Sequence, residues 1–431
     1  MNKIKQLLYD MRHQRMMTWV SIIGTALAIF LLMIFIMSEN IMKVEMAPES
    51  HRTRIMYGKN FHTKELKGNG DNSTSGINHE LAARLYDNLD GVEAISYVRA
   101  WHTTVDANEK GEESISCSGF SVDENFWKIY DFRFIYGRPF DKAERQSEVK
   151  SVILTRSTAR RIFGEENVTG REIEVNMIPY SVIGVVEDVS PLLDKTYAQI
   201  YFVFNPDGQE EIDPWFGQTN VRLLLREGTD PADVKRQVEE RYRRLAPEGE
   251  KENVKLIYHN QPYDIEDAAV GFDGSNTTPE TATHRTLQWV IYAILLLIPA
   301  INLSSMTRGR LRHRTAEIGV RRAFGARRIS IVGQLFGENL IITLAGGVIG
   351  LVLSIVFILC WSTLLFTYVP ATYGDVALEV LDTTPDLAMV FRWDTFVFAL
   401  AACLILNTLS AIIPAWRASR VVPAVALSSS K

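Results

Sequence analysis

Four apolar runs punctuate the chain, and a long stretch of soluble-type sequence separates the first from the second. Residues 17–37 carry no charge, and about 20 such residues span a hydrocarbon layer of roughly 30 Å. No small-x-small cleavage site precedes the acidic Glu39–Glu45 stretch, so the run predicts an uncleaved anchor rather than a signal peptide. Residues 287–306, 340–366 and 394–416 predict three further spans. Within residues 1–16, Ile4, Leu7, Leu8 and Met11 recur at helical spacing while Lys3, Lys5, Arg12 and Arg15 fall largely on other faces. That pattern fits a cytoplasmic amphipathic helix on an anionic membrane surface, or an extension of the first span.

Residues 38–286 alternate and punctuate as an α+β domain does. Strands are expected near 53–58, 92–105, 221–225 and 254–258, with a helix at 78–89. A second helix opens at Thr229-Asp230-Pro231, with Asp230 as its N-cap and Pro231 in its first turn, and runs to about residue 245. Two strand–helix–strand units thus bracket an insert. Residues 38–109 and 216–270 are expected to form one lobe, 110–215 an inserted lobe, and 271–286 a linker. Within the insert, strands are expected at 114–120, 151–154, 172–175, 180–186 and 199–204, a helix at 156–163, and turns at Gly137, Gly164 and Gly170. Residues 67–76, KGNGDNSTSG, read as a polar flexible loop.

Charge then orients the spans. Basic residues flank the first span at its start and the second and fourth at their ends (Arg417 and Arg420 at the last). The loop 367–393 holds Asp375, Glu379, Asp382 and Asp386 against Arg392 alone. The positive-inside rule places both termini in the cytoplasm, with 38–286 and 367–393 outside. The expected architecture is a membrane protein with four transmembrane helices and a large two-lobed α+β extracytoplasmic domain between the first and second. Residues 307–339 and the tail 417–431 are then cytoplasmic. Asn302 in the second span, and Gly346 and Gly350 in the third, are candidates for helix packing within one bundle or for a dimer seam.

Composition excludes more than it assigns. A net charge of −5 gives no field that would favour nucleic acid. Cys117, Cys360 and Cys403 form no disulfide framework or C-x-x-C spacing. His51, His62 and His79 are scattered, and no metal, cofactor or catalytic constellation is expected. No G-x-x-x-x-G-K-[ST] phosphate cradle occurs in these 431 residues. Asn72, Asn167 and Asn276 lie in N-x-[ST] sequons, a pattern that arises by chance.

The segment between the second and third spans is different. Eight arginines (308, 310, 312, 314, 321, 322, 327 and 328) stand against one acid, Glu317. Charge alone makes this a cytoplasmic anchor. The string Glu317-Ile318-Gly319-Val320-Arg321-Arg322-Ala323-Phe324-Gly325-Ala326-Arg327-Arg328 resembles the cytoplasmic signature of FtsX-like ABC-transporter permeases, and the tail Pro414-Ala415-Trp416-Arg417-Ala418-Ser419-Arg420 resembles the end of that family. Val122-Asp123-Glu124-Asn125-Phe126-Trp127, Gly137-Arg138-Pro139-Phe140, 157–164 and 180–186 are similar to the MacB-type periplasmic core domain.

The resemblance implies one helix before a large periplasmic domain and three after it, in a bacterial inner membrane. It implies a homo- or heterodimer of permease chains working with two copies of an ABC ATPase. ATP-driven motion then reshapes the periplasmic domains, which is mechanotransmission. MacB itself carries a fused ATPase; here the first span begins close to residue 1, so a separate ATPase polypeptide is expected and the chain is not expected to be an enzyme. Glu317–Arg328 becomes the expected ATPase-coupling site. Its arginines offer charge-assisted contacts, while Ile318, Val320, Ala323 and Phe324 offer apolar ones. Efflux of a periplasmic substrate or lipoprotein handling is the expected job, with a periplasmic adaptor, an outer-membrane channel and membrane lipids as partners. A membrane-anchored envelope sensor or a regulator of cell-wall hydrolases is the alternative.

Overall fold

The structure is a computed structural model that describes residues 15–41, 45–59, 61–66, 72–100, 102–146, 150–190, 193–205, 214–270, 278–313, 324, 328–366 and 393–419. Its helices are α1 (Arg15–Ile41), α2 (His79–Tyr86), α3 (Phe126–Ile129), α4 (Lys142–Gln146), α5 (Arg156–Phe163), α6 (Pro231–Lys251), α7 (Ile265–Val270), α8 (Thr281–His313), α9 (Arg328–Phe366) and α10 (Trp393–Ser419). Its strands are β1 (Ile55–Gly58), β2 (Phe61–Glu65), β3 (Asn72–Ile77), β4 (Val92–Arg99), β5 (Thr103–Asn108), β6 (Ile115–Val122) and β7 (Phe134–Gly137), followed by β8 (Ser151–Thr155), β9 (Glu172–Val175), β10 (Ile178–Val186), β11 (Ile200–Val203), β12 (Phe216–Gly217), β13 (Thr219–Leu225) and β14 (Val254–Ile257). The chain divides into a helical unit, which holds α10 and most of α1, α8 and α9, and a sheet unit built mainly from Ile41–Ala282.

The sheet unit is organised around β13. This strand is buried along its whole length and pairs antiparallel with β1 and β4. Burial at every position, with Val221 and Leu223–Leu225 apolar on both faces, is that of a strand covered on both sides. Val221, Leu223 and Leu225 point to one side, where Leu81 and Leu85 of α2 and Val234 and Val238 of α6 close a core. Leu224 points to the other, with Ile55, Tyr57, Phe126, Tyr130 and Tyr201. Asp230 caps α6 by accepting from the Ala232 amide at 2.9 Å.

Six more strands close on themselves in the order β6–β5–β9–β10–β8–β11 and back to β6. The β10–β8 and β11–β6 joins are parallel and the others antiparallel. Val105, Cys117, Val152, Leu154, Ile173 and Val182 belong to the core of this ring.

Two expectations change. The polar stretch 67–76 is not all loop, because β3 starts at Asn72 and pairs with β2 and β12. The single strand expected at 92–105 is two, because the chain leaves β13 after β4 and enters the ring with β5.

In the helical unit, Met16–Ser38 of α1 and Phe336–Cys360 of α9 are long and apolar enough to cross a membrane, and Trp393–Ile405 of α10 is a shorter apolar stretch. The run 287–306 lies wholly within α8. Helices α1 and α9 run parallel. Ile22 packs with Ile342, Thr25 meets Gly346, Ala26 and Ile29 meet Gly350, and the Phe30 and Phe357 rings lie edge to face at 5.5 Å. Trp19, Ile23 and Leu27 of α1 and Val348, Val352 and Val356 of α9 are exposed, whereas Thr18, Ser21, Thr25 and Thr343 are buried. Apolar outside and polar inside is the pattern of helices solvated by lipid. The expected amphipathic helix, the loop 367–392 and the tail beyond Ser419 lie outside the described residues.

Candidate coupling site

Within Glu317–Arg328, the described residues are Phe324 and Arg328; the rest of the motif lies outside them. The Phe324 side chain is 89% exposed. Arg328 is the first residue of α9, whose 39 residues run unbroken into the apolar stretch. At 1.5 Å per residue that is a rod of about 58 Å. Any contact made on the motif therefore sits at the end of a stiff element.

Gly346 and Gly350 face α1. A Cβ at Gly346 would lie 2.8 Å from Thr25 Cβ, and one at Gly350 would lie 2.6 Å from the Ala26 carbonyl oxygen. Both glycines let the two backbones approach closely within one chain. Gly347 instead faces Leu400 of α10. Asn302 lies in α8, and its side chain is outside the described residues.

The same α1–α9 seam holds residues that sequence reasoning left out. Glu338 is 2% exposed and Asn339 3%. Starting the third span at residue 340 assigned both to the cytoplasmic segment. The available signal was the i, i+4 series Glu338, Ile342, Gly346 and Gly350, which puts Glu338 on the packed face.

The MacB-like strings of the sheet unit have structural explanations. Asp123 is 1% exposed and accepts four hydrogen bonds that tie β4 to α3. These come from the Ser96 hydroxyl (2.6 Å), the Tyr97 amide (2.8 Å), the Phe126 amide (2.9 Å) and the Asn125 amide (3.2 Å). Burial pushes its carboxyl up to about 6, against the lowering effect of these bonds. Gly137 has φ +73°, and a Cβ there would lie 2.1 Å from the Ile183 carbonyl oxygen. Phe140 is buried among the aromatics that surround Tyr201. Ser157 at the start of α5 donates its hydroxyl and its amide to Asp188 at 2.7 and 3.0 Å. Burial raises the Cys117 thiol to about 12, which leaves it unreactive.

The three scattered histidines have different neighbours. His51 faces Asp131 at 3.5 Å, His79 packs edge to face on Tyr97, and His62 pairs with His259. In the last pair His62 Nδ1 and His259 Nε2 are 3.3 Å apart, and His259 Nδ1 lies 3.1 Å from Thr278 Oγ1.

Comparison with known proteins adds two matches in tandem. The MacB-like periplasmic core domain matches residues 18–241, more than half of the chain, and the FtsX-like permease C-terminal region matches 289–423. The macrolide export ATP-binding/permease protein MacB of Bdellovibrio bacteriovorus is 23% identical over 326 residues, covering 72% of this chain and 48% of its own length. The protein of the same name from Escherichia coli K12 is 25% identical over 282 residues, covering 63% and 41%. The chain spans about half the length of the curated relatives it matches. The crystal structure of the periplasmic region of MacB from Actinobacillus actinomycetemcomitans is 15% identical, covers 48% of this chain and 89% of that one, and superposes with a TM-score of 0.35.

Proposed function

The chain belongs to the ABC-transporter permeases that join a MacB-like periplasmic core domain to an FtsX-like permease region, and from that premise we propose that it carries ATP-driven motion from a cytoplasmic ABC ATPase to its extracytoplasmic domain. The observation that carries this reading is the placement of Arg328. The last residue of the FtsX-like signature is the first residue of a 39-residue helix that enters the apolar stretch without a break. A docked ATPase that shifts the signature between two positions shifts the helix with it, provided it binds the two positions differently.

In this reading the bundle has four spans with both termini cytoplasmic. Each chain offers one coupling segment, and ABC ATPases act as pairs, so two permease chains work with two copies of an ABC ATPase. The relatives are named for macrolide export, and we assign the same direction of traffic here: efflux of a periplasmic substrate or handling of a lipoprotein, with a periplasmic adaptor and an outer-membrane channel as further partners.

Purification in mild detergent tests the assembly. The expected result is an ABC ATPase in stoichiometric amount, lost in Glu317→Ala and Gly325→Asp, with membrane insertion unchanged in both. Recovery of the intact chain alone, or an ATPase that stays bound to both variants, overturns the assignment of the segment.

A further inference from the structure

The α1–α9 seam is polar where a lipid-solvated bundle has least reason to be. Residues Thr18, Ser21 and Thr25 recur on one face of α1, and all three are buried. On α9, Glu338, Asn339 and Thr343 are buried on the face that also carries Ile342, Gly346 and Gly350. The contacts fix the register, with Ile22 beside Ile342, Thr25 beside Gly346, and Ala26 and Ile29 beside Gly350. One helical turn before Ile22 and Ile342, the same register brings Glu338 level with Thr18, and Asn339 between the levels of Thr18 and Ser21. The Ser21 hydroxyl is engaged by its own helix, donating to the Met17 carbonyl at 2.8 Å. Among the described residues, Asn339 Nδ2 and Thr25 Oγ1 have no hydrogen-bond partner although both are buried.

A carboxyl group placed in a helix seam costs desolvation and adds little net stability; what it adds is selectivity for one register over others. An unpaired buried donor such as Asn339 Nδ2 disfavours the register it sits in. A seam with both features is fit to hold two arrangements of nearly equal energy, as a transmission element needs.

We propose that Glu338 is a positioning residue of the transmission step: it holds α9 to the Thr18–Ser21–Thr25 face of α1, while Asn339 keeps that register from being locked, so that a displacement entering α9 at Arg328 moves α1, and through chain continuity the extracytoplasmic domain. This rests on the proposed function and adds the route. The signal passes from the third span to the first, across a parallel pair whose glycines bring the backbones close.

The test uses the complete permease–ATPase complex in lipid nanodiscs, in a background with Cys117, Cys360 and Cys403 replaced by alanine, and with spin labels on the extracytoplasmic domain at the exposed position Lys142. In Glu338→Ala, ATPase binding is retained and hydrolysis stays within about twofold, while the ATP-dependent change in label distance falls about tenfold. Glu338→Gln, which keeps the hydrogen-bonding end, retains most of the change. A disulfide between Ile22→Cys and Ile342→Cys, added to Glu338→Ala, restores it, because the bond supplies the lost link. The inference is overturned if Glu338→Ala moves as the wild type does, if Glu338→Gln fails as Glu338→Ala does, if the disulfide does not form or does not restore motion, or if Glu338→Ala releases the ATPase. A wild-type complex without ATP-dependent change refutes the mechanotransmission reading itself, and the inference falls with it.

Discussion

Asp123 shows how a residue inside a recognisable string can act through the fold alone. Its carboxylate is the only acceptor shared by the Ser96 hydroxyl and the amides of Tyr97, Asn125 and Phe126 among the bonds described here. Asp123→Ala removes the acceptor of the Ser96 hydroxyl and the Tyr97 and Asn125 amides, leaving the Phe126 amide with the Asp123 carbonyl at 3.3 Å, and is expected to destabilise the sheet unit by about 3 kcal/mol. Asp123→Asn restores a near-isostere but turns an amide donor toward the Ser96 hydroxyl or the Tyr97 amide, so it recovers only part of the loss. The check is urea unfolding of the purified chain, followed by tryptophan fluorescence. The His62–His259 pair gives a pH dependence. Burial lowers both, with Lys64 adding to the effect at His62 and His62 at His259. The native state therefore holds the neutral forms more strongly than the unfolded chain does. The stability of the pair is complete above about pH 6.5, the unfolded value, and is lost as pH falls below it. His259 has φ +53°, a conformation asparagine tolerates well. Measured unfolding midpoints should place His259→Asn below the wild type at pH 7.5, and the gap should narrow by pH 5. A gap that is constant with pH would remove the pair from the titration.

At the scale of elements, the helix pair α1–α9 makes the sharper prediction. With Cβ positions 2.6–2.8 Å from α1 atoms, Gly346→Leu or Gly350→Leu must push the helices apart. Each is expected to cost about 1–3 kcal/mol and to slow oxidation of the Ile22→Cys/Ile342→Cys pair, whereas Gly333→Leu, which meets nothing within 4 Å, leaves the rate unchanged. Elements with a local signal were legible in the chain. The helix expected at 156–163 is α5 (Arg156–Phe163), and the Asp230-Pro231 start is the start of α6. The stretch Asn72–Ile77 was not legible as a strand, because its side chains carry no alternation and its pairing is made by backbone groups. β4 and β5 ran together in the sequence, because only the pairing of β4 with β13 and of β5 with β9 separates them. Glu338 was missed for a related reason. A hydropathy reading starts a span after its last charge, whereas the helix starts where the backbone does, at Arg328. The His62–His259 contact joins residues 197 apart, and nothing local announces it.

For the whole molecule, the proposed function requires that motion enter the sheet unit through the segments that join it to the helices. The chain arrives from α1 through β1, and β1 pairs directly with β13, the strand around which both cores are built. It leaves toward α8 through Tyr263 and α7. These two segments meet. The Tyr57 amide donates to the Tyr263 carbonyl at 2.8 Å, and the Tyr263 amide donates to the Tyr57 carbonyl at 2.9 Å. Beside them the Lys59 amide donates to Gln261 Oε1 at 2.6 Å, and the Thr281 hydroxyl at the start of α8 donates to Asp267 Oδ1 at 2.5 Å. The incoming and outgoing segments are thus fastened to each other within the sheet unit. Motion delivered by α1 should then move the domain as one body rather than prise its two ends apart. A pair that exchanges both backbone bonds has a Cα separation of about 5.5 Å, within the range a disulfide spans. Tyr57→Cys/Tyr263→Cys is therefore expected to oxidise readily. Comparing the oxidised and reduced forms of that one variant cancels the loss of the Tyr57 ring, which packs under Arg222 at 5.1 Å. If the domain moves as one body, oxidation leaves the ATP-dependent label change within about twofold of the reduced form, far short of the fivefold or more typical of a broken coupling. If oxidation abolishes the change, the two ends must part during the cycle, and the Tyr57–Tyr263 pair is a gate instead of a clasp.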